Sequence, residues 1–193
     1  MITAPFDELN ILQDTFERWR SDWNPEKKPD AKLVQDVIDE VEYLLVLAYV
    51  FGKDAANEAL GTEIEVDEAE MKEALFKKIE DKDFVDRIAE HMEHFDVPLV
   101  MRVAETEMTR DFNAGGMNTA LTAEKQKGLQ AKKTWHTMMD DRVRDTHDYL
   151  EDMTVDLNER FYTYDGDSAM HPGDFSNASN NVGCRCILSF RWQ

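Results

Sequence analysis

Cysteine is nearly missing from this chain: its 193 residues contain two, together with only five prolines and eight glycines. Two cysteines cannot build the disulfide framework of a small secreted domain. They are Cys184 and Cys186, a spacing at which disulfide geometry resists pairing them with each other. In a reducing compartment they read as free thiols or metal ligands. No repeat and no low-complexity tract appears, and ten Phe, five Tyr and four Trp argue against a disordered chain. Long hydrophobic runs are also missing. The most apolar stretch, Val41 to Phe51, is roughly half of what a membrane span needs. The opening Met1-Ile2-Thr3-Ala4-Pro5 lacks the basic region and apolar core of a secretory leader. A soluble, intracellular protein with no membrane partner is expected.

Basic charge is the other shortage. Twenty-two Lys and Arg face 41 Asp and Glu, a net charge of −19. Residues 1–130 carry −15 of it and residues 131–193 only −4. Free binding to DNA neutralises phosphates with Lys and Arg, so an independent nucleic-acid reader is disfavoured. A solvated acidic surface, or one that meets a basic protein partner, fits better.

Apolar residues at three- and four-residue spacing predict helices over the first two thirds. Residues 4–23 place Phe6, Leu9, Leu12, Phe16, Trp19 and Trp23 on one face, before a breaker loop from Asn24 to Asp30. Asp30 then caps a helix through Phe51, with a stripe of Leu33, Val34, Val37, Ile38, Val41, Leu44, Leu45, Ala48 and Phe51. Gly52 is expected to end or interrupt it, with a further turn of helix over Ala55–Leu60. Asp67 and Glu70 form a capping-box pattern before a helix that buries Leu75, Phe76 and Ile79. Asp83 starts another, with Phe84, Ile88, Met92 and Phe95. Pro98 suits the first turn of the next, which carries Leu99, Val103, Met108 and Phe112 to a kink or stop at Gly115-Gly116. Beyond about Gly128 the periodicity fades. Phe161–Tyr164 and Cys186–Trp192 read as strands, and Arg144–Leu150 as a short helix. The fold class is α+β. An acidic α-helical region, 1–128, precedes a compact α+β module with short antiparallel strands, 129–193.

Within the module, three chemistries are open. Cys184, Cys186 and His147 form a soft donor set that suits zinc, with His171, His136, Asp140 or Asp174 as a fourth ligand. A Cys/His pair would also serve nucleophilic catalysis, though no activating partner or protease signature is evident. The third reading is structural. There Asp141–Arg144 or Asp145–Arg142 ion pairs lock the loops, and the thiols are simply buried. His91 and His94 read as an exposed helix face, and Asp165-x-Asp167 as a hairpin turn closed by Gly166.

An ordered set of residues resembles the phage Mu F-like minor head proteins, the phage head morphogenesis group. The run from Arg102 to Arg110, with Glu105 and Glu107 inside it and Asn113 after it, resembles its Arg-x-Glu-x-x-Arg-x-x-Asn helix. Lys133 and Trp135 are similar to its Lys-x-Trp, and the run Asp140-Asp141-Arg142-Val143-Arg144 with His147 to its Asp-x-Arg-x-Arg-x-x-His. Pro172-Gly173-Asp174 and Cys184-Arg185-Cys186 resemble its Pro-Gly-Asp and Asn-Cys-Arg-Cys, with Gly183 where the family has Asn. The likeness covers about residues 100–193. It implies a non-enzymatic minor component of a tailed-phage head. Such a protein is present in the host cytoplasm during assembly and then in the virion head interior. Its implied partners are the portal protein, a capsid or scaffold protein and DNA within the head, with no small-molecule substrate. The helical region would be the docking surface. The alternative is a metal- or thiol-dependent enzyme, toxin-like or nucleic-acid-modifying, built on His147, Cys184 and Cys186.

Overall fold

The computed structural model describes residues 28–193, together with Glu17. Apart from Glu17, the helix expected over 4–23 lies outside the described residues, as does most of the loop after it. Among the residues from 28 onward, four helices come first: α1 (Ala31–Leu60), α2 (Glu68–Leu75), α3 (Phe84–Met92) and α4 (Val97–Lys127). Short strands and single helical turns follow: β1 (Ala131–His136), α5 (Asp145–Asp148), β2 (Thr154–Asp156), β3 (Phe161–Tyr162), β4 (Ser168–Ala169), α6 (Ala178–Asn181) and β5 (Ile187–Trp192). The fold is α+β, helical first and then a small part with short antiparallel strands. Among the described residues no helix is long and apolar enough to cross a membrane.

Local chemistry sets the helix ends. The Asp30 carboxylate accepts from Leu33 N at 2.8 Å and starts α1, and Gly61 ends it at φ +59°. That left-handed conformation is one that glycine adopts without strain. Asp67 accepts from Ala69 N and Glu70 N, whereas the reciprocal capping box forms one helix later, between Asp83 and Asp86. Two expected core residues prove exposed. Phe51 and Phe76 are each 40 % exposed, Phe76 because it caps α2 and leans on Phe84 with ring centroids 5.4 Å apart.

The glycines expected to break helices do not. α1 runs unbroken through Gly52, and α4 through Gly115 and Gly116. The two helices cross there with their backbones in contact. A Cβ on Gly52 would stand 1.8 Å from the Phe112 carbonyl oxygen, and one on Gly115 would stand 2.1 Å from the Tyr49 carbonyl oxygen. These glycines serve packing, which overrides their weak helix propensity. Val37, Val41, Leu44, Leu45 and Ala48 of α1 are completely buried in a cluster with Val100, Ala104, Met108 and Phe112 of α4.

β1 was not foreseen as a strand. It is the centre of a three-stranded antiparallel sheet, β2-β1-β5, with Lys133 opposite Phe190 and Trp135 opposite Leu188. Its side chains alternate, and Ala131, Lys133 and Trp135 point inward. Two charged lysines and a histidine in six residues hide this period-two pattern. A second cluster joins Trp135, Phe161, Leu188 and Phe190 to Ala56, Leu60, Met117, Ala120 and Ala123 of the two long helices. Gly128, at φ +65°, is thus where helix gives way to strand, while the side chains on either side share a core. The Trp192 indole N–H donates to Leu60 O at 2.9 Å and ties the last strand to the end of α1.

Candidate functional site

Three elements bring the donors together. α5 presents His147 from a single turn, in which its backbone N–H bonds Arg144 O at 2.8 Å. The turn after α6 supplies Cys184, and the approach to β5 supplies Cys186. All three are buried, and both thiols are free. His147 Nδ1 lies 3.6 Å from Cys184 Sγ and 3.7 Å from Cys186 Sγ. Phe175 stacks on the imidazole at 5.2 Å and Trp135 meets it edge-on at 5.5 Å. The Cys186 sulfur beside it pulls the Cys184 thiol well below its ordinary pKa against the opposing effect of burial, with His147 adding to the pull. The same neighbour and burial push Cys186 up. The pair thus favours one thiolate beside one thiol.

None of the expected fourth ligands joins this cluster. His171 is buried elsewhere, with Nδ1 3.0 Å from Pro172 O, and burial lowers its pKa. Asp174 pairs with Lys77 and Asp140 with Arg185 at 2.7 Å. His136 forms a separate, half-exposed group with Glu151 and Asp152 and bonds Ser189 Oγ at 2.7 Å.

Several of the other motif residues hold the loops around the site in place. The expected Asp141–Arg144 and Asp145–Arg142 pairs do not form. Asp141 and Arg142 are exposed, and Arg144 donates instead to Ser179 O at 2.8 Å and Val182 O at 2.5 Å. Carbonyls of the turn before Cys184 are nearer to its guanidinium than any carboxylate. Asn113 joins helix to strand. Its Nδ2 donates to Cys186 O at 3.0 Å, and its Oδ1 accepts from Leu188 N at 2.8 Å. Arg110 is 2 % exposed and bonds Glu107 at 2.5 Å, Asp111 at 3.3 Å and the carbonyls of Ala74, Leu75 and Lys77. Gly173, at φ +85°, packs onto Arg110, whose Cβ would be 2.7 Å from an added methyl. Trp135 and Lys133 are both fully buried, and Lys133 Nζ donates to Leu157 O and Met170 O at 2.9 and 2.8 Å. Burial pulls its pKa down to about 8. Arg102 lines a groove of about 370 Å³ between α3 and α4 with Arg87, Thr106 and Glu107. Glu105 is half-buried, and its carbonyl accepts from Thr109 Oγ1.

Asp167 was the residue missed. Read only as part of a turn, it is a hub. It accepts from Ser168 N at 2.9 Å, Ser176 Oγ at 2.7 Å, Asn177 N at 3.1 Å and Asn180 Nδ2 at 3.1 Å. Burial alone would raise this carboxyl, but the donors outweigh it and hold its pKa at about 2. Asn181 completes the loop through two bonds to the Phe175 backbone. The Asn- and Ser-rich composition of 176–181 was the available signal, since such side chains bond nearby backbone.

The backbone at Gly183 would also suit the Asn of the resembling motif. Its φ is +68°, no atom would meet an added Cβ within 4 Å, and its N–H donates to Thr106 Oγ1 at 3.0 Å. The position demands a left-handed backbone, which Gly and Asn tolerate best. Gly183→Asn is therefore expected to change stability by less than about 0.5 kcal/mol, and Gly183→Val to cost about 1–2 kcal/mol. Urea denaturation of both variants checks this, and equal losses would refute the backbone account.

A family model described as Phage Mu protein F like protein matches residues 62–189. The chain belongs to that family. The match starts earlier than the motif resemblance, taking in α2 and α3, and so the Ala74, Leu75 and Lys77 carbonyls that Arg110 binds. The family supports a role in phage head morphogenesis. The chain is also similar to the NAD(+)–arginine ADP-ribosyltransferase EFV of Enterococcus faecalis. The two are 37 % identical over 86 residues, 45 % of this chain and 17 % of that protein. The chain thus spans less than a fifth of that relative's length. No solved structure matches it significantly.

Proposed function

We propose that this Mu F-like protein is a non-enzymatic minor head component. It assembles with the portal inside the procapsid, contacts capsid or scaffold protein there, and accompanies the genome. The family match over residues 62–189 carries this reading. The geometry supports it in a second way, because the motif residues Arg110, Asn113, Arg144 and Gly173 hold segments of this chain together. In this reading the family motif specifies a rigid module, and docking belongs to the surface of the helical region. The apolar stripe of α1 is consumed in the protein's own core, so docking falls to its polar face, where Asp39 and Tyr43 are exposed. An acidic face suits a basic partner surface.

Quantitative mass spectrometry of purified heads, counting this chain against the portal subunit, tests the reading. A few copies per portal ring are expected, and absence from every particle would overturn it. One observation favours the enzymatic alternative, the relative named as an ADP-ribosyltransferase. Incubating the purified chain with NAD⁺ and an arginine-rich acceptor checks that reading. Transfer of label to the acceptor would establish it.

A further inference from the structure

We propose that His147, Cys184 and Cys186 form a tetrahedral zinc site, with His147 Nδ1 and the two sulfurs as three ligands and one water as the fourth.

Distance is the first support. Zinc holds thiolate sulfur at about 2.3 Å and imidazole nitrogen at about 2.0 Å, and at tetrahedral angles these lengths set sulfur–nitrogen edges of roughly 3.6 Å. The observed edges are 3.6 and 3.7 Å. Both sulfurs stand at almost the same distance from one nitrogen. Nδ1 offers a single lone pair or a single proton, so it can hydrogen-bond only one of the two sulfurs at a time. A shared cation would engage both together.

Burial and charge are the second support. The three residues are 1 %, 5 % and 4 % exposed, so their polar atoms need partners within the protein. Among the described residues this is a rare group in which three such donor atoms all lie within 4.8 Å of one another and all three residues are buried. A divalent cation with two thiolates is neutral, the form in which such a group is least costly to bury. Arg142, Arg144 and Arg185 border the cavity beside it. That cavity borders all three donors and measures about 10 Å³, room for a single water. Two sulfurs and one imidazole suit zinc better than the oxygen-seeking cations.

The site's position gives it a task. It joins α5 to the segment entering β5, beside the bonds that Asn113 makes to Cys186 and Leu188. Zinc there would fix the last strand to the rest of the module, independently of whether the protein assembles into heads.

The full chain, unfolded, stripped of metal and refolded with excess Zn(II), is expected to keep one zinc after gel filtration by inductively coupled plasma mass spectrometry. Its melting temperature should rise over the metal-free chain. Co(II) in place of zinc should give thiolate-to-cobalt charge-transfer bands and intense tetrahedral visible absorption. Because these readouts use the unmutated chain, they stand even where a variant fails to fold. In competition with a chromogenic chelator, Cys184→Ser and His147→Gln should each weaken zinc binding more than about 100-fold, beyond the usual effect of groups that only support a ligand. A refolded chain that retains no zinc and shows no cobalt charge-transfer band would overturn the site. So would full zinc binding in a Cys184→Ser, Cys186→Ser double variant, which would point to His136, Glu151 and Asp152 instead.

Discussion

Gly115→Ala is expected to destabilise this protein by about 3 kcal/mol or more, although alanine is the better helix former. The intrinsic preference would favour the variant by about 1 kcal/mol. Against it stands a methyl carbon 2.1 Å from the Tyr49 carbonyl oxygen, with the carbonyl carbon at 2.9 Å. Backbone has no rotamer by which to escape, so α1 and α4 must separate. Separation loosens the contacts that bury Leu44, Leu45, Ala48, Met108 and Phe112. Overpacking a core usually costs about 1–3 kcal/mol, and this clash lies at the upper end because a whole helix must move. Gly52→Ala, with its 1.8 Å approach to Phe112 O, should behave alike. A thermal melt should fall by roughly 6–12 °C for a loss of that size in a chain of this length. Gly61→Ala is the control. Its φ is +59° and no atom lies within 4 Å of an added Cβ, so it pays only the left-handed backbone penalty of about 1 kcal/mol. If Gly115→Ala melts no lower than Gly61→Ala, the close crossing is not what these glycines are for.

Arg110→Met should be as damaging, by about 3–5 kcal/mol, the usual result of removing one member of a buried charge group. Methionine fills much of the volume but leaves Glu107 and Asp111, which are 3 % and 0 % exposed, without their cation. Arg87 still reaches Glu107 at 3.2 Å, while Asp111 retains no other cation among its ion pairs. The carbonyls of Ala74, Leu75 and Lys77 lose their donor as well. Acidity adds a signature. Burial pushes the Asp111 carboxyl up to about 7 despite Arg110. Between an unfolded value near 3.8 and that folded value the native state holds the extra proton, so this group weakens the fold as pH rises through the window. Without Arg110 the window should extend to higher pH. Urea denaturation from pH 5 to 9 should therefore show a loss that grows toward the alkaline end. A uniform loss would sever Arg110 from Asp111.

Much of the helical part was legible. Asp30, Asp83 and Pro98 sit where the start signals placed them, and the stripe from Val37 to Ala48 is the core. The glycines were misread because sequence shows a residue's propensity but not what stands opposite it. Gly52 and Gly115 become intelligible only as a pair more than sixty residues apart. β1 was illegible for a related reason. Lys133 faces inward and finds two carbonyls, so charge masked the alternation. At the candidate site, the grouping of His147 with both cysteines followed from chemistry. None of His171, Asp140 and Asp174 joins them, because each is engaged by partners that spacing cannot reveal. Asp167 was missed since a carboxylate that organises a loop looks, in sequence, like one that turns it.

The sheet order also bears on how the chain acquires its structure. β1 lies between a neighbour about twenty residues downstream and another more than fifty residues downstream. The second closure depends on residues 187–192, which leave the ribosome long after β1. The helices can pack from local sequence, but the sheet that covers Trp135 must wait, and contacts of such separation form slowly. In that interval Trp135 and the apolar ends of α1 and α4 lack their cover, and exposed surface of this kind invites association with other chains. The net charge of −15 over residues 1–130 opposes such association, because like-charged incomplete chains repel one another.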